Sequence, residues 1–257
     1  MLTFLIPVRI DSHFRLGNLK TVIQYLKKIP DSTLHVLEAD INPKAEETCR
    51  GECSYIFIKD SNPIFHRTHY LNMMLKACQT QYAAVWDCDV VTPSNSIAEA
   101  IALIENDPKV VISFPYNGCL WDEDEMMSGL FRRTGDIGCF EKYPHLNRLL
   151  NGYHAVGGGF VVDVDRYREY GWENENFKGW GPEDLERVKR VEILGGNVAR
   201  TSGPMFHLYH SRGINSSDID KVLARSVTEE YLKVCSMSSD ELQDYINSWE
   251  WIKVNQS

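Results

Sequence analysis

The sequence predicts an α/β fold: a mainly parallel central sheet flanked by helices, with a C-terminal helical extension. Three observations carry that reading. Short apolar runs rich in β-branched residues recur along the first half of the chain. Between them apolar residues return at helical spacing, and turn residues separate the two patterns. Alternation of this kind sets strands side by side with helices over both faces.

In chain order, Thr3 to Val8 reads as the first strand, and Leu19, Val22, Ile23 and Leu26 mark the helix after it. Thr33 to Leu37 and Tyr55 to Ile58 are the next strands, followed by a helical stripe of Tyr70, Leu71, Met74 and Leu75. Tyr82 to Trp86 and Val110 to Phe114 are strands on either side of a helix marked by Ile97, Ile101 and Ile104. From Pro115 to Gly159 the pattern loosens into a segment carrying Trp121 and the acidic run Asp122 to Glu125, and loops of that length usually have a functional reason. Gly158 to Val162 returns to an apolar run and Asp165 to Tyr170 to a helix. Pro182, suited to a first helical position, opens another helix through about Leu194. Ser238 to Val254 reads as a last helix with Leu242, Tyr245, Ile246 and Trp249 on one stripe.

The 257 residues, 43% hydrophobic and 25% charged, suffice for one large core. A net charge of -9 argues against nucleic acid or an anionic membrane as partner, so an anionic ligand would need locally placed cations. Seven scattered cysteines without paired zinc-ligand spacing read as reduced packing residues, and a cytoplasmic location follows. No basic leader precedes the first strand, and no apolar stretch approaches the roughly 18 residues needed to span a bilayer. Secretion and an integral membrane segment are not expected. The acceptor-like triplets at Asn215 and Asn255 are therefore read as chance.

Three constellations carry chemistry. Asp87-Cys88-Asp89 follows the run Tyr82 to Trp86, at the carboxyl end of a strand, where open α/β sheets bind ligands. Two carboxylates there can reach one divalent cation that engages diphosphate oxygens, although a lone Asp-x-Asp is more often a solvated turn. His207 and His210 can converge on the same ion if the backbone turns, and mixed carboxylate and imidazole ligation suits manganese better than calcium. The bland alternative packs one imidazole in the core and exposes the other. In Gly179-Trp180-Gly181-Pro182-Glu183-Asp184 the acids fall in a first helical turn, which the macrodipole favours on its own. The glycine-flanked Trp180 is not explained that way. An aromatic plane is a platform for a sugar, and a carboxylate beside it can accept a hydroxyl proton.

Taken together, Ile6-Pro7-Val8-Arg9, Phe65-His66-Arg67, Leu71-Asn72, Asp87-Cys88-Asp89, Gly157-Gly158-Gly159-Phe160, Gly179 to Asp184, and His207 with His210-Ser211-Arg212 resemble the β-1,4-galactosyltransferase family in order and rough spacing. They also resemble the galactosyltransferase-like domains of bacterial polysaccharide polymerases and of glycosyltransferase family 2. The resemblance runs nearly from the first residue to Arg212. It implies a GT-A fold, the nucleotide-diphospho-sugar transferase fold, with a catalytic domain over residues 1–214. Its nucleotide-binding half would end near residue 114, residues 115–214 would form the acceptor and catalytic half, and residues 215–257 a helical extension packed on the same domain.

The resemblance also implies roles. Pro7, Arg9, Phe65 and Arg67 match donor-binding positions, with Asp87, Asp89, Gly158 and Trp180 also on the donor side. Asp89, His210 and His207 match the ligands of Mn2+ (or Mg2+). Asp184 matches the catalytic base and Glu183 its acidic neighbour. Three departures bear on sugar and acceptor contacts: Gly181-Pro182 in place of a glycine pair, Leu185 in place of a third acid, and Phe160 in place of a small residue. The implied activity is an inverting, metal-dependent transfer of a hexose or N-acetylhexosamine from a UDP-sugar to a carbohydrate acceptor, in bacterial surface polysaccharide synthesis, by an enzyme that is cytoplasmic or peripheral to the inner membrane.

Two rivals stand beside that reading. A sugar-nucleotide pyrophosphorylase would carry a glycine-rich loop after the first strand, where this chain has Arg9 to His13 and no glycine before Gly17. A non-catalytic carbohydrate-binding or partner subunit would have no use for every catalytic group at once. Tyr116, Trp121, Trp172 and the acidic run Asp122 to Glu125 are candidates for an acceptor wall, or simply for packing.

Overall fold

The structure is a computed structural model in which residues 1–211 and 221–253 are described. Arg212, Asn215, Asn255 and the expected domain boundary at 214 lie outside the described residues.

The first half follows the periodicity. Strand β1 (Leu2–Val8) is buried at every position, and helix α1 (His13–Leu26) sets Leu19, Val22, Ile23 and Leu26 against the core. Ser12 starts that helix, its side chain accepting a hydrogen bond from the Arg15 backbone N–H. Strand β2 (Ser32–Asp40), the short helix α2 (Glu46–Cys49), β3 (Ser54–Lys59), α3 (Arg67–Ala77), β4 (Tyr82–Trp86), the two-residue β5 (Val90–Val91), α4 (Ser94–Asn106) and β6 (Val110–Phe114) continue the alternation. Each fully buried Leu, Ile or Val on these stripes contributes about 1.5–3 kcal/mol by leaving water.

The loose segment contains more order than its composition suggests. It holds β7 (Leu120–Asp122), α5 (Glu125–Thr134), α6 (Gly138–Lys142) and β8 (Arg148–Leu150). Helix α5 is bounded by legible caps, the Asp124 side chain accepting from Met127 N–H and Gly135 closing it in the left-handed region. Beyond come β9 (Gly159–Asp163), α7 (Val164–Glu169), α8 (Glu183–Ile193), β10 (Asn197–Arg200), β11 (Met205–His207), α9 (Lys221–Cys235), α10 (Ser239–Ser248) and α11 (Glu250–Lys253). Pro182 precedes α8 as its N-cap rather than forming its first turn. The expected single tail helix is two, because Trp249 is extended and breaks the run between α10 and α11.

Seven strands make the main sheet in the order β10-β6-β9-β4-β1-β2-β3. It is mainly parallel, with one exception: β9 runs antiparallel to both β4 and β6. A second, four-stranded sheet has the order β5-β11-β7-β8. The carboxyl ends of β1 and β4 therefore meet the small sheet where β5 and β11 pair, and that junction positions the site. Among the described residues no helix is long and apolar enough to cross a membrane, and all seven cysteines are free thiols.

Candidate functional site

Along the ends of β1 and β4 lies a cavity of about 700 Å³, within the range of small-molecule sites. One end is closed by Asp89, His207 and His210. Strand pairing explains why residues so distant in sequence meet. His207 stands opposite Val90 in the antiparallel β5–β11 pair, and Leu208 N–H donates to the Asp89 carbonyl at 2.7 Å. The chain then turns and brings His210 back. The Nε2 atoms of His207 and His210 lie 3.8 and 3.4 Å from the two Asp89 carboxylate oxygens. One ligand atom from each residue falls within 4.8 Å of the others, and among the described residues this is the one such group.

The far side of each imidazole has an acceptor that suits a proton on Nδ1. His207 Nδ1 donates to Asp122 Oδ1 at 2.8 Å, and His210 Nδ1 donates to the Ser211 carbonyl at 2.9 Å. Both Nε2 lone pairs are thus directed at the shared space, as metal-binding histidines require. Asp122 is in place because β7 runs beside β11 with His207 opposite Asp122 in register. Burial holds the His210 imidazole below its ordinary value against the pull of Asp89, which favours the neutral, ligating form. Arg15 adjoins the same group, its Nη1 donating to Asp89 Oδ2 at 2.9 Å.

The next wall is formed by Pro7, Val8, Arg9, Phe65, Arg67 and Asp87. Arg9 is committed there. It donates to the Ala39 carbonyl, the Asn62 carbonyl and Asp60 Oδ2 at 2.7, 2.6 and 2.6 Å, and its guanidinium lies 5.3 Å from the Phe65 ring centre. Burial works to raise the Asp60 carboxyl, but the Tyr70 hydroxyl, the Asn62 N–H and Arg9 outweigh it and hold the group below its ordinary value. Arg9 thus braces a corner around Phe65, where the resemblance has it facing a diphosphate. Arg67 differs: Nη2 donates to Asp87 Oδ1 at 2.7 Å, while Nη1 is buried without a partner. Burial, and then Asp89 and Asp184, raise the Asp87 carboxyl even against Arg67.

The opposite end is built on the start of α8. Asp184 Oδ1 accepts from Arg187 Nη1 at 2.8 Å, and Arg187 is itself buried with Glu173 2.7 Å away. Burial works against the Glu173 charge, but Arg187 outweighs it and keeps that carboxyl below its ordinary value. The pair fixes Asp184 with Oδ2 toward the cavity, so close to Gly157 that a Cβ there would fall 2.8 Å away. Glu183 Oε2 is buried without a partner, and burial together with Asp184 pushes its carboxyl up to about 8. Trp180, 53% exposed, stands at the mouth between two glycines. A Cβ at Gly179 would lie 3.0 Å from Leu223 Cδ2, and one at Gly181 2.9 Å from Val227 Cγ2, so the loop can seat against α9 only without side chains there. Ala224, Val227, Thr228 and Tyr231 of α9 complete the wall.

Some expected contacts lie elsewhere. Gly158 is behind the wall: it has φ +88°, and a Cβ would meet Met205 Sδ at 2.8 Å, so Gly157 is the glycine that faces the cavity. Phe160 is buried beneath the Arg187 guanidinium, 4.3 Å from its ring centre, and its departure from the family pattern concerns packing rather than sugar contact. Leu185, by contrast, does line the cavity. Tyr116 is fully buried and donates to the Ala155 and Gly157 carbonyls, Trp172 is buried against Val164, and Trp121 lies in β7; none of the three reaches the cavity. Sequence reasoning missed Arg15, Asp60, Asp122 as a histidine partner, and Arg187. Only Arg187 left a signal, three residues after Asp184 on a helix, where side chains meet.

No family model matches the chain, and no curated protein sequence matches it. Solved structures do. GalNAc-T7 with UDP, GalNAc and Mn2+ superposes with a TM-score of 0.63 at 13% identity over 96% of this chain, which spans 50% of that one. Glucosyl-3-phosphoglycerate synthase from Mycobacterium tuberculosis, with Mn2+, UDP and glucosyl-3-phosphoglycerate, gives 0.55 at 10% identity, covering 92% of this chain and 80% of that one. The catalytic domain of Drosophila beta1,4galactosyltransferase 7 with xylobiose gives 0.53 at 16%, covering 93% and 82%. These likenesses establish a GT-A fold.

Proposed function

We propose that this chain is a glycosyltransferase that moves a hexose or N-acetylhexosamine from a UDP-sugar to a carbohydrate hydroxyl with inversion, using Mn2+ or Mg2+. The observation that carries this reading is the convergence of Asp89, His207 and His210 at one end of a cavity whose other end presents Glu183 and Asp184. The neighbours in complex with UDP and Mn2+ support it. One carboxylate and two imidazoles form a mixed set that fits manganese better than magnesium. A divalent ion held there would offset negative charge on the diphosphate as it departs.

The chain's own groups supply the rest. Arg67 Nη1, buried and without a partner, is placed to meet a diphosphate oxygen. Phe65, braced by Arg9 and stacked on Tyr70, lines the cavity where the resemblance puts the base. Asp184 Oδ2 takes the proton of the acceptor hydroxyl as its oxygen bonds to the anomeric carbon and the bond to the phosphate oxygen breaks, releasing UDP. Arg187 keeps that carboxylate aimed. Glu183, held as the neutral acid near neutral pH, can donate a hydrogen bond to a sugar hydroxyl. Trp180 covers the sugar from the mouth of the cavity. We place the reaction in bacterial surface polysaccharide synthesis, in the cytoplasm or against the inner membrane.

A panel of UDP-sugars assayed by thermal shift with Mn2+ should select one donor, and that donor should be slowly hydrolysed when no acceptor is present. Asp89→Ala should abolish Mn2+-dependent UDP binding in a calorimeter. Binding that survives this substitution overturns the assignment, and a donor that binds without ever being hydrolysed or transferred favours a non-catalytic partner subunit.

A further inference from the structure

Arg15 lies at the metal end of the cavity and has no part in the chemistry described so far. It projects from the first turn of α1, where the Ser12 cap fixes the backbone. Its Nε donates to Asp11 Oδ1 at 3.0 Å and its Nη1 to Asp89 Oδ2 at 2.9 Å. Its Nη2 lies 3.4 Å from His210 Nδ1. That last contact competes with the Ser211 carbonyl, 2.9 Å from the same nitrogen: the carbonyl needs a proton on Nδ1 and the guanidinium needs a lone pair there. With the proton on Nδ1, the form that leaves Nε2 free to ligate, that arm of the guanidinium has no acceptor there.

Resting on the functional reading above, we propose that Arg15 is a donor-binding residue that exchanges partners. While no divalent ion is bound, its guanidinium neutralises Asp89; when an ion takes Asp89, the fork turns to the oxygens of the nucleotide diphosphate. Three observations lead there. Asp89 and His210 are the very groups that would ligate the ion, so Arg15 and the ion compete for one carboxylate oxygen. Arg9 is spent on Ala39, Asn62 and Asp60, which among the described residues leaves Arg67 Nη1 and the Arg15 fork as the guanidinium groups on this wall with capacity for an anion. The Asp11 bond is made through Nε, so it can persist as a pivot while the Nη atoms re-aim. A planar two-donor fork suits a diphosphate, whereas it has no use beside two imidazoles.

The exchange has a signature of opposite signs. In Arg15→Met, affinity for Mn2+ alone should rise by about fivefold or more, because a competing cation has left, and affinity for UDP at saturating Mn2+ should fall by about tenfold. Calorimetry and electron paramagnetic resonance read the two quantities separately, and thermal unfolding reports whether the variant is folded. Arg15→Lys keeps the charge but not the fork: its Mn2+ affinity should stay at the wild-type level while its UDP affinity falls. If folded Arg15→Met binds Mn2+ more weakly, or binds Mn2+ with UDP as tightly as wild type, Arg15 only props Asp89 and the proposal is overturned. Wild-type protein that shows no Mn2+-dependent UDP binding overturns the functional reading itself.

Discussion

At one end of the cavity a buried carboxylate and two imidazoles face one another with the Arg15 guanidinium in contact, whereas at the other end Arg187 is buried between two carboxylates. The first arrangement joins strands of two sheets and, on the proposed function, would take up a cation. The second is complete within the folded chain: Glu173 balances Arg187, Arg187 aims Asp184, and nothing from outside is needed. On the proposed function, the groups that bind a cation gather side chains from distant strands, and the group that takes a proton is held still by its own helix.

The largest test of this contrast is Asp184→Asn. Turnover should fall about 10²- to 10⁴-fold with Mn2+-dependent UDP affinity unchanged; loss of UDP binding instead would erase the distinction between the two ends. Arg187→Met comes next. Leaving Glu173 buried without its partner should cost about 3–5 kcal/mol in a denaturant titration, with or without metal. A smaller effect is expected of Asp122→Asn, which removes the carboxylate that orients His207. Mn2+ affinity should drop about 10- to 100-fold while stability without metal is nearly kept.

The smallest effect concerns pH. Glu183 sits at about 8 in the folded chain against an ordinary 4.5, so the folded state holds a proton that the unfolded state has released. Stability from this group is full below about 4.5 and is lost as pH rises through about 8. Glu183→Gln stays neutral throughout, so its melting temperature should match wild type near pH 4 and gain on it as pH rises from about 4.5 to about 8. Parallel curves across that range would mean that Glu183 is not held as the neutral acid.

The fold was legible where periodicity is strong. The runs at Thr3, Thr33, Tyr55, Tyr82 and Val110 all became strands, and the stripe from Leu19 to Leu26 became α1. Strand direction was not legible, because β9, buried on both faces between β4 and β6, reads like any parallel strand. Nor were β5 and β11, whose two and three residues are too short to show a period. The same limit governs the site. Asp89, His207, His210 and Asp184 could be named as candidates from short motifs and the resemblance they carry, but Asp122 and Arg15 act through neighbours that only strand pairing and helix placement supply. Asp122, which the sequence left open between an acceptor wall and a bland role, holds an imidazole. Gly158 was one position off because glycines in a row look alike until the backbone shows which of them faces inward.

The fit of α9 against Gly179 and Gly181 reaches beyond the loop itself. Leu223 and Val227 act as shims: the height at which the indole of Trp180 stands over the mouth depends on the girth of two aliphatic side chains in a helix that supplies none of the proposed reacting groups. A bulkier side chain at either position would press on the loop, so the seat of Trp180 is set partly from the tail while every acid and imidazole stays as it is.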